Sequence, residues 1–178
     1  APKLVVVNPA VPANSLRELI ALQKADPAKY SSYGTSGVGS MAHLSMEIVN
    51  GLAGTKFVHV PYKGGAATLS DLLGDQLPIG VLDLGSVLAQ VKSGKLKVLA
   101  VTGKQRSPVF PDMPTIGEVL PGFEATEWFG IAGPKGMSPA IASRLQQEIA
   151  KALATPEAKA KYVDALGWEL PASTPEEM

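Results

Sequence analysis

The chain passes repeatedly from a short run of β-branched or aromatic residues, through glycines and hydroxyls, into a stretch of helical period, and few folds accommodate that succession. Strand-like runs lie near 3–7, 30–34, 57–61, 79–83, 96–102 and 126–132. Strands alternating with helices are the pattern of an α/β protein, in which helices cover the faces of a sheet. Ser15-x-x-Glu18 forms a capping box before Leu16, Leu19 and Ile20, and Pro27 halts that helix. A second helix runs from about Ser40 to Asn50, with Met41, Leu44, Ile48 and Leu52 on one stripe and Gly51 or Gly54 at its end. Ala66 to Leu73 forms a third, closed by Gly74, and Ser86 caps a fourth that carries Val87, Leu88 and Val91. Ser138-Pro139 opens a longer helix with Ile141, Leu145, Ile149 and Leu153 along one side. Thr155-Pro156-Glu157 begins another that packs through Tyr162 and Leu166 and ends at Gly167, and Thr174-Pro175-Glu176-Glu177 reads as one more helix start. Pro108, Pro111, Pro114 and Pro121 make residues 106–122 a surface connection around a Thr115-x-x-Glu118 turn, and a candidate boundary.

Charge and composition remove several classes of function. Lys plus Arg number 16 and Asp plus Glu 16, so there is no net charge and no basic stripe suited to nucleic acid or an anionic membrane. No apolar run approaches the ~20 residues that span a bilayer, so direct membrane insertion is not expected. The absence of cysteine removes thiol catalysis, disulfides and cysteine-ligated zinc together. His43 and His59 are the two histidines, too far apart for a short metal motif, so neither a metal nor a cofactor is expected. Ala1-Pro2-Lys3 runs directly into Leu4 without an initiator methionine or signal peptide, and an upstream segment is expected to have been removed.

The segment from Tyr33 to Ser40 carries the most chemical information. Gly34, Gly37 and Gly39 are interleaved with Thr35, Ser36 and Ser40 between a strand and a helix. Glycines allow close approach of the backbone, and the free N–H groups of a helix start favour a carboxylate or phosphate. Spacing alone leaves two readings open: an anion cradle with hydroxyl donors, or a tight turn in which Ser36 or Ser40 caps the helix. The Gly34-x-x-x-x-Gly39 spacing matches a P-loop, but Ser40 stands where the lysine belongs, and the glycine order is not that of a dinucleotide fingerprint. His43 lies three residues after Ser40, on the same helical face, either bonded to backbone or touching a ligand. A second such turn follows at Tyr62-Lys63-Gly64 before Ala66, Ala67 and Thr68, and Asp83 ends a further strand. In an open α/β sheet, turns of this kind gather at the carboxyl ends of the strands, where ligands bind. Trp128-Phe129 lines an aromatic pocket or fills a core. No Gly-x-Ser-x-Gly elbow occurs, and two histidines without a clear carboxylate partner assemble no catalytic constellation, so a non-enzymatic role is expected. The alternative is a small α/β hydrolase or transferase that uses the Gly34–Ser40 loop as an anion or oxyanion cradle.

Taken in order, these segments resemble the Bug family, the periplasmic solute-binding receptors of tripartite tricarboxylate transporters. The resemblance rests on Val6-Val7-Asn8-Pro9, Tyr33-Gly34-Thr35-Ser36-Gly37-Val38-Gly39-Ser40 with His43-Leu44, and Phe57-Val58-His59-Val60-Pro61-Tyr62-Lys63-Gly64. It continues through Asp71-Leu72-Leu73-Gly74-Asp75-Gln76, residues 94–102, Pro111-Asp112-Met113-Pro114-Thr115 and Trp128-Phe129-Gly130. The resemblance implies a type II periplasmic binding protein, two α/β lobes joined by hinge strands that close over a small carboxylate. It implies a second, ligand-binding lobe at 9–98, with 1–8 and 99–178 supplying hinge strands and the C-terminal part of a first lobe. That first lobe would be incomplete, because the segment opening it in the family, with its own glycine-rich loop, has no counterpart here. The contacts it implies are Thr35, Ser36, Gly37, Gly39, Ser40 and His43, then Tyr62, Lys63, Gly64 and Ala67, and finally Asp83. After the position of Asp83 the family commonly has Asn and Pro, whereas this chain has Leu84-Gly85. The implied partners are a small organic acid and the membrane permease subunits of the transporter, and the implied location is the periplasm.

Overall fold

Leu4-Val5-Val6-Val7 is apolar without alternation, the signature of a strand covered on both faces. In the computed structural model this run is β1 (Lys3–Val7), every residue of it buried. The structure describes residues 2–125, 127–166, 168, 170–174 and 177. They fall into two units, Pro2–Glu127 and Trp128–Met178.

The first unit is built on one five-stranded sheet. Its other strands are β2 (Ser32–Thr35), β3 (Val58–Pro61), β4 (Ile79–Asp83) and β5 (Lys97–Val101), in the order β3-β2-β4-β1-β5. β2 runs parallel to β3 and β4, while β1 is antiparallel to both β4 and β5. Successive helices are α1 (Leu16–Ala25), α2 (Pro27–Tyr30), α3 (Met41–Ala53), α4 (Gly65–Leu73), α5 (Leu84–Lys92) and α6 (Ile116–Val119). Because β3 lies on one side of β2 and β4 on the other, the strand order reverses beside β2. The loops that leave the carboxyl ends of β2, β3 and β4 therefore share one edge, where α/β sheets place ligands. Val5, Val7, Tyr33, Ile79 and Val81 from the sheet pack with Leu16 and Leu19 of α1 and Met46 and Val49 of α3 in one core.

Several local expectations are corrected by packing. The stripe Met41, Leu44, Ile48 and Leu52 does not face the sheet: Leu44 and Leu52 are each 44% exposed, and Ala42, Ser45, Met46 and Val49 are buried instead. Small residues at 42 and 45 let α3 lie close to the strands, which rotates the bulkier stripe outward. Ser86 does not cap α5, which starts at Leu84 with Asp83 in the cap position, and the Ser86 hydroxyl turns back to donate to the Asp83 carbonyl at 2.7 Å. The proline-rich connection is not merely superficial. Thr115 and Glu118 close a capping box, Val101 bridges to Thr115, and Ile116 is fully buried in the core, so 106–122 belongs to the first unit and the division falls beyond it.

The second unit is helical among its described residues: α7 (Pro139–Leu153), the short α8 (Pro156–Ala158) and a π-helical stretch, Lys159–Asp164. The expected strand at 126–132 is not formed at 127–132, and Thr126 lies outside the described residues, as do Gly167, Pro175 and Glu176 of the expected helix ends. Among the described residues that segment finds no strand in its own unit with which to pair, and Trp128 and Phe129 are exposed, with Phe129 stacked on Trp168 at 5.3 Å. α7 buries none of its residues: Ile141 and Leu145 are 55% and 46% exposed. An uncovered apolar helix face favours association. The chain is therefore expected to show concentration-dependent self-association in sedimentation velocity, relieved by I141E together with L145E. A monodisperse monomer at high concentration contradicts this.

Candidate functional site

β2 ends at Thr35, whose side chain is 0% exposed and organises the loop that follows. Its Oγ1 accepts from the Gly37 amide at 3.2 Å and lies 2.7 Å from Nε2 of His59, which comes from the adjacent strand β3. Ser40 caps α3 by accepting from the His43 amide at 3.3 Å, and its hydroxyl donates to the Gly37 carbonyl at 2.8 Å. The Gly39 amide donates to Nδ1 of His43 at 3.1 Å. Gly37 (φ 149°) and Gly39 (φ 75°) adopt backbone angles that side-chain-bearing residues rarely take, so this turn requires glycine. The hydroxyls of Thr35 and Ser40 and the amides of Gly37 and Gly39 are thus spent inside the loop. Ser36 is exposed, and its hydroxyl has no partner among the described residues.

The turn after β3 is tied to this loop. The Tyr62 amide donates to the Thr35 carbonyl at 3.1 Å and the Gly64 amide to the Ser36 carbonyl at 3.3 Å, which holds the starts of α3 and α4 side by side. Gly64, with φ 103°, occupies the cap position of α4 and brings no capping side chain. The amides of Gly65, Ala66 and Ala67 consequently meet no protein acceptor among the described residues, and the same is true of Met41 and Ala42 at the start of α3. Two positive helix ends therefore converge on one edge of the sheet. Ala67 and Lys63 are exposed beside them.

The side chains of Tyr62 and Asp83 are engaged by other residues. The Tyr62 hydroxyl donates to Asp71 at 2.7 Å, and burial followed by this bond raises its pKa. Asp83 is 60% exposed at the start of α5 and binds Nζ of Lys3 at 2.6 Å. Lys3, at the antiparallel neighbour β1, also reaches Glu127 at 2.8 Å. Burial works against the Lys3 ammonium, but its hydrogen bonds to both carboxylates outweigh it and raise the pKa, so the cation persists. A cavity of about 380 Å³ at the end of β5, lined in part by Thr102, Lys104, Glu118 and Glu124, is separated from the Thr35–Ser40 loop by β4 and β1. The pairs Lys104–Glu124 (2.6 Å) and Arg106–Glu118 (3.1 Å) balance its charge, and an anion finds no excess of cations there.

His59 is the residue that sequence reasoning did not single out. Parallel register sets Tyr33 against His59, and the His59 ring stacks on His43 with 4.0 Å between centroids. The Thr35–His59 contact looks like an activated nucleophile, but its hydroxyl is sealed from solvent and cannot meet a substrate. Among the described residues no group of three or more His, Cys, Asp or Glu side chains could hold a metal ion.

A model of the tripartite tricarboxylate transporter family receptor matches residues 1–173. BugT of Bordetella pertussis is 36% identical over 153 residues, covering 85% of this chain and 47% of that protein. A Rhodopseudomonas palustris protein solved with adipate superposes with a TM-score of 0.88 at 31% identity, over 99% of this chain and 59% of that one. MatC of the same organism, solved with malate, gives 0.80 at 25% identity, over 93% of this chain and 56% of that one. The chain thus spans about half the length of the curated relatives it matches. The periplasmic binding protein BugD superposes with a TM-score of 0.82 at 31% identity, over 96% of this chain and 57% of that one, and shares the mixed α/β fold observed here. The chain belongs to the tripartite tricarboxylate transporter receptor family.

Proposed function

We propose that this chain forms one wall of a cleft that binds a small organic carboxylate outside the cytoplasm and presents it to the permease subunits of a tripartite tricarboxylate transporter. The observation that carries this reading is the pair of helix starts, α3 and α4, held together by the Thr35–Tyr62 and Ser36–Gly64 hydrogen bonds with their leading amides unpaired. A carboxylate lying there would accept from Gly65, Ala66 and Ala67 on one side and from Met41, Ala42 and the Ser36 hydroxyl on the other, with Lys63 nearby. Thr35, Gly37, Gly39 and Ser40 would serve by holding this arrangement, and Asp83 by anchoring Lys3 at the same edge. Residues 9–98 would be the ligand-binding lobe and the remainder hinge strands and part of the other lobe. Adipate and malate in the structural relatives support a dicarboxylate. No helix among the described residues is long and apolar enough to cross a membrane.

The test is a titration of the ¹⁵N-labelled chain with malate, adipate and citrate. Saturable movement of the Ser36, Met41, Ala42 and Gly65–Ala67 amide resonances, with the acid recovered unchanged, is the expected result. Resonances that stay still, or an acid converted to product, would reject the receptor reading.

A further inference from the structure

Two histidines stacked directly behind an anion cradle invite the reading that they attract the anion, but their hydrogen bonds assign them another task. His43 Nδ1 accepts from the Gly39 amide, so a neutral ring carries its proton on Nε2, the nitrogen that lies 3.9 Å from Glu47. A second proton would have to enter at Nδ1, where it would point at the Gly39 N–H and leave two donors opposed. His59 secures the other side of the loop, because its Nε2 meets Thr35 Oγ1, the atom that receives the Gly37 amide. The loop between them contains two glycines with little conformational preference of their own.

We propose that His43 and His59 are positioning residues, a stacked imidazole pair that keeps the Gly37–Ser40 loop in its binding shape while Nδ1 of His43 carries no proton. The functional consequence rests on the receptor reading above; the structural claim does not. Among the described residues, Glu47 of α3 and Tyr33 of β2, joined by a 3.1 Å hydrogen bond, are titratable groups that face the pair. Burial, then the neighbouring His43, lowers the pKa of His59, with Glu47 opposing. An unfolded chain therefore takes up that proton at higher pH than the folded one, and His59 favours the folded state less as pH falls below the ordinary histidine range. Acid consequently weakens the loop, the opposite of what an imidazolium that binds the anion directly would do.

The experiment follows the Gly39 amide-proton resonance of the ligand-free chain from about pH 8 to about pH 5, across the histidine range, in wild type, H43N and H43F. The Asn Oδ1 can stand where Nδ1 stood and does not titrate, whereas Phe keeps the stack and offers no acceptor. The wild-type resonance should shift upfield in acid, that of H43N should hold still, and that of H43F should lie upfield throughout. Malate binding at about pH 7.5 should be within about twofold of wild type for H43N and roughly tenfold weaker for H43F, the size of one lost hydrogen bond. At about pH 5.5 wild type should fall below H43N, a comparison in which the ionisation of malate cancels. A Gly39 resonance indifferent to acid, or tighter binding by wild type than by H43N in acid, overturns the proposal; if H43F does not fold, the other two chains still decide. Failure of every carboxylate to bind wild type would reject the receptor reading and leave the Gly39 titration to judge this one.

Discussion

Replacing Ala67 with aspartate is expected to abolish carboxylate binding, by at least about 100-fold, while leaving the fold intact or slightly more stable. Ala67 is the third residue of α4 and its side chain is exposed beside the unpaired amides. A carboxylate at this position complements the helix dipole and satisfies free N–H groups, which stabilises by ~0.3–1 kcal/mol. The same carboxylate occupies the cradle and repels an incoming anion, and like charges brought together at a binding surface cost several kcal/mol. Since ~2.7 kcal/mol is a factor of about 100, repulsion dominates. A67N separates charge from bulk, and its loss should be less than about 10-fold. Calorimetry with malate and thermal unfolding measure both sides; wild-type affinity in A67D would show that α4 does not face the ligand.

Gly34→Ala is expected to destabilise the fold by about 1–3 kcal/mol, the usual cost of overpacking a filled core. A Cβ at Gly34 would stand 2.5 Å from Leu77 Cδ2, 2.7 Å from Thr68 Cγ2 and 3.0 Å from Tyr62 Cε2. Leu77 can swing its terminal methyl away. Thr68 cannot turn without breaking the bond from its hydroxyl to the Thr35 carbonyl, 3.1 Å long and buried. Alanine also reduces the entropy of the unfolded chain, but that gain of ~0.4–1 kcal/mol is the smaller effect. T68S removes the offending methyl and keeps the hydroxyl, so G34A/T68S should recover part of the loss in chemical denaturation. An unchanged midpoint for G34A, or no recovery in the double variant, would show that the pocket behind β2 is looser than its contacts imply.

Gly34 shows how unevenly the site was legible. The glycines and hydroxyls of 34–40 leave both an anion cradle and a tight, capped turn open, and the structure contains the turn. Their roles within it were not legible. Thr35, Ser36 and Ser40 are chemically alike as letters, yet Thr35 and Ser40 are consumed by the loop and Ser36 is left exposed. The difference follows from strand alternation and the helix cap, which send one hydroxyl inward, use another at the start of α3 and leave the third outside.

Local chemistry determined the elements of this protein. β-branched residues mark β1, β3, β4 and β5, hydroxyls or prolines begin α1, α2, α3, α6 and α7, and Gly54 and Gly74 end α3 and α4. These signals act over a few residues, so they survive without knowledge of the rest of the chain. Tertiary structure alone decided which face of α3 meets the sheet, because two neighbouring stripes are both apolar enough and close approach selected the one with Ala42 and Ser45. It also decided that His59 meets Thr35 and His43 and that Lys3 meets Asp83. Those pairs depend on strand register, parallel between β2 and β3 and antiparallel between β1 and β4, and on strand order between residues 16 to 80 positions apart. Register is set by how whole strands and helices pack, and no local spacing encodes it.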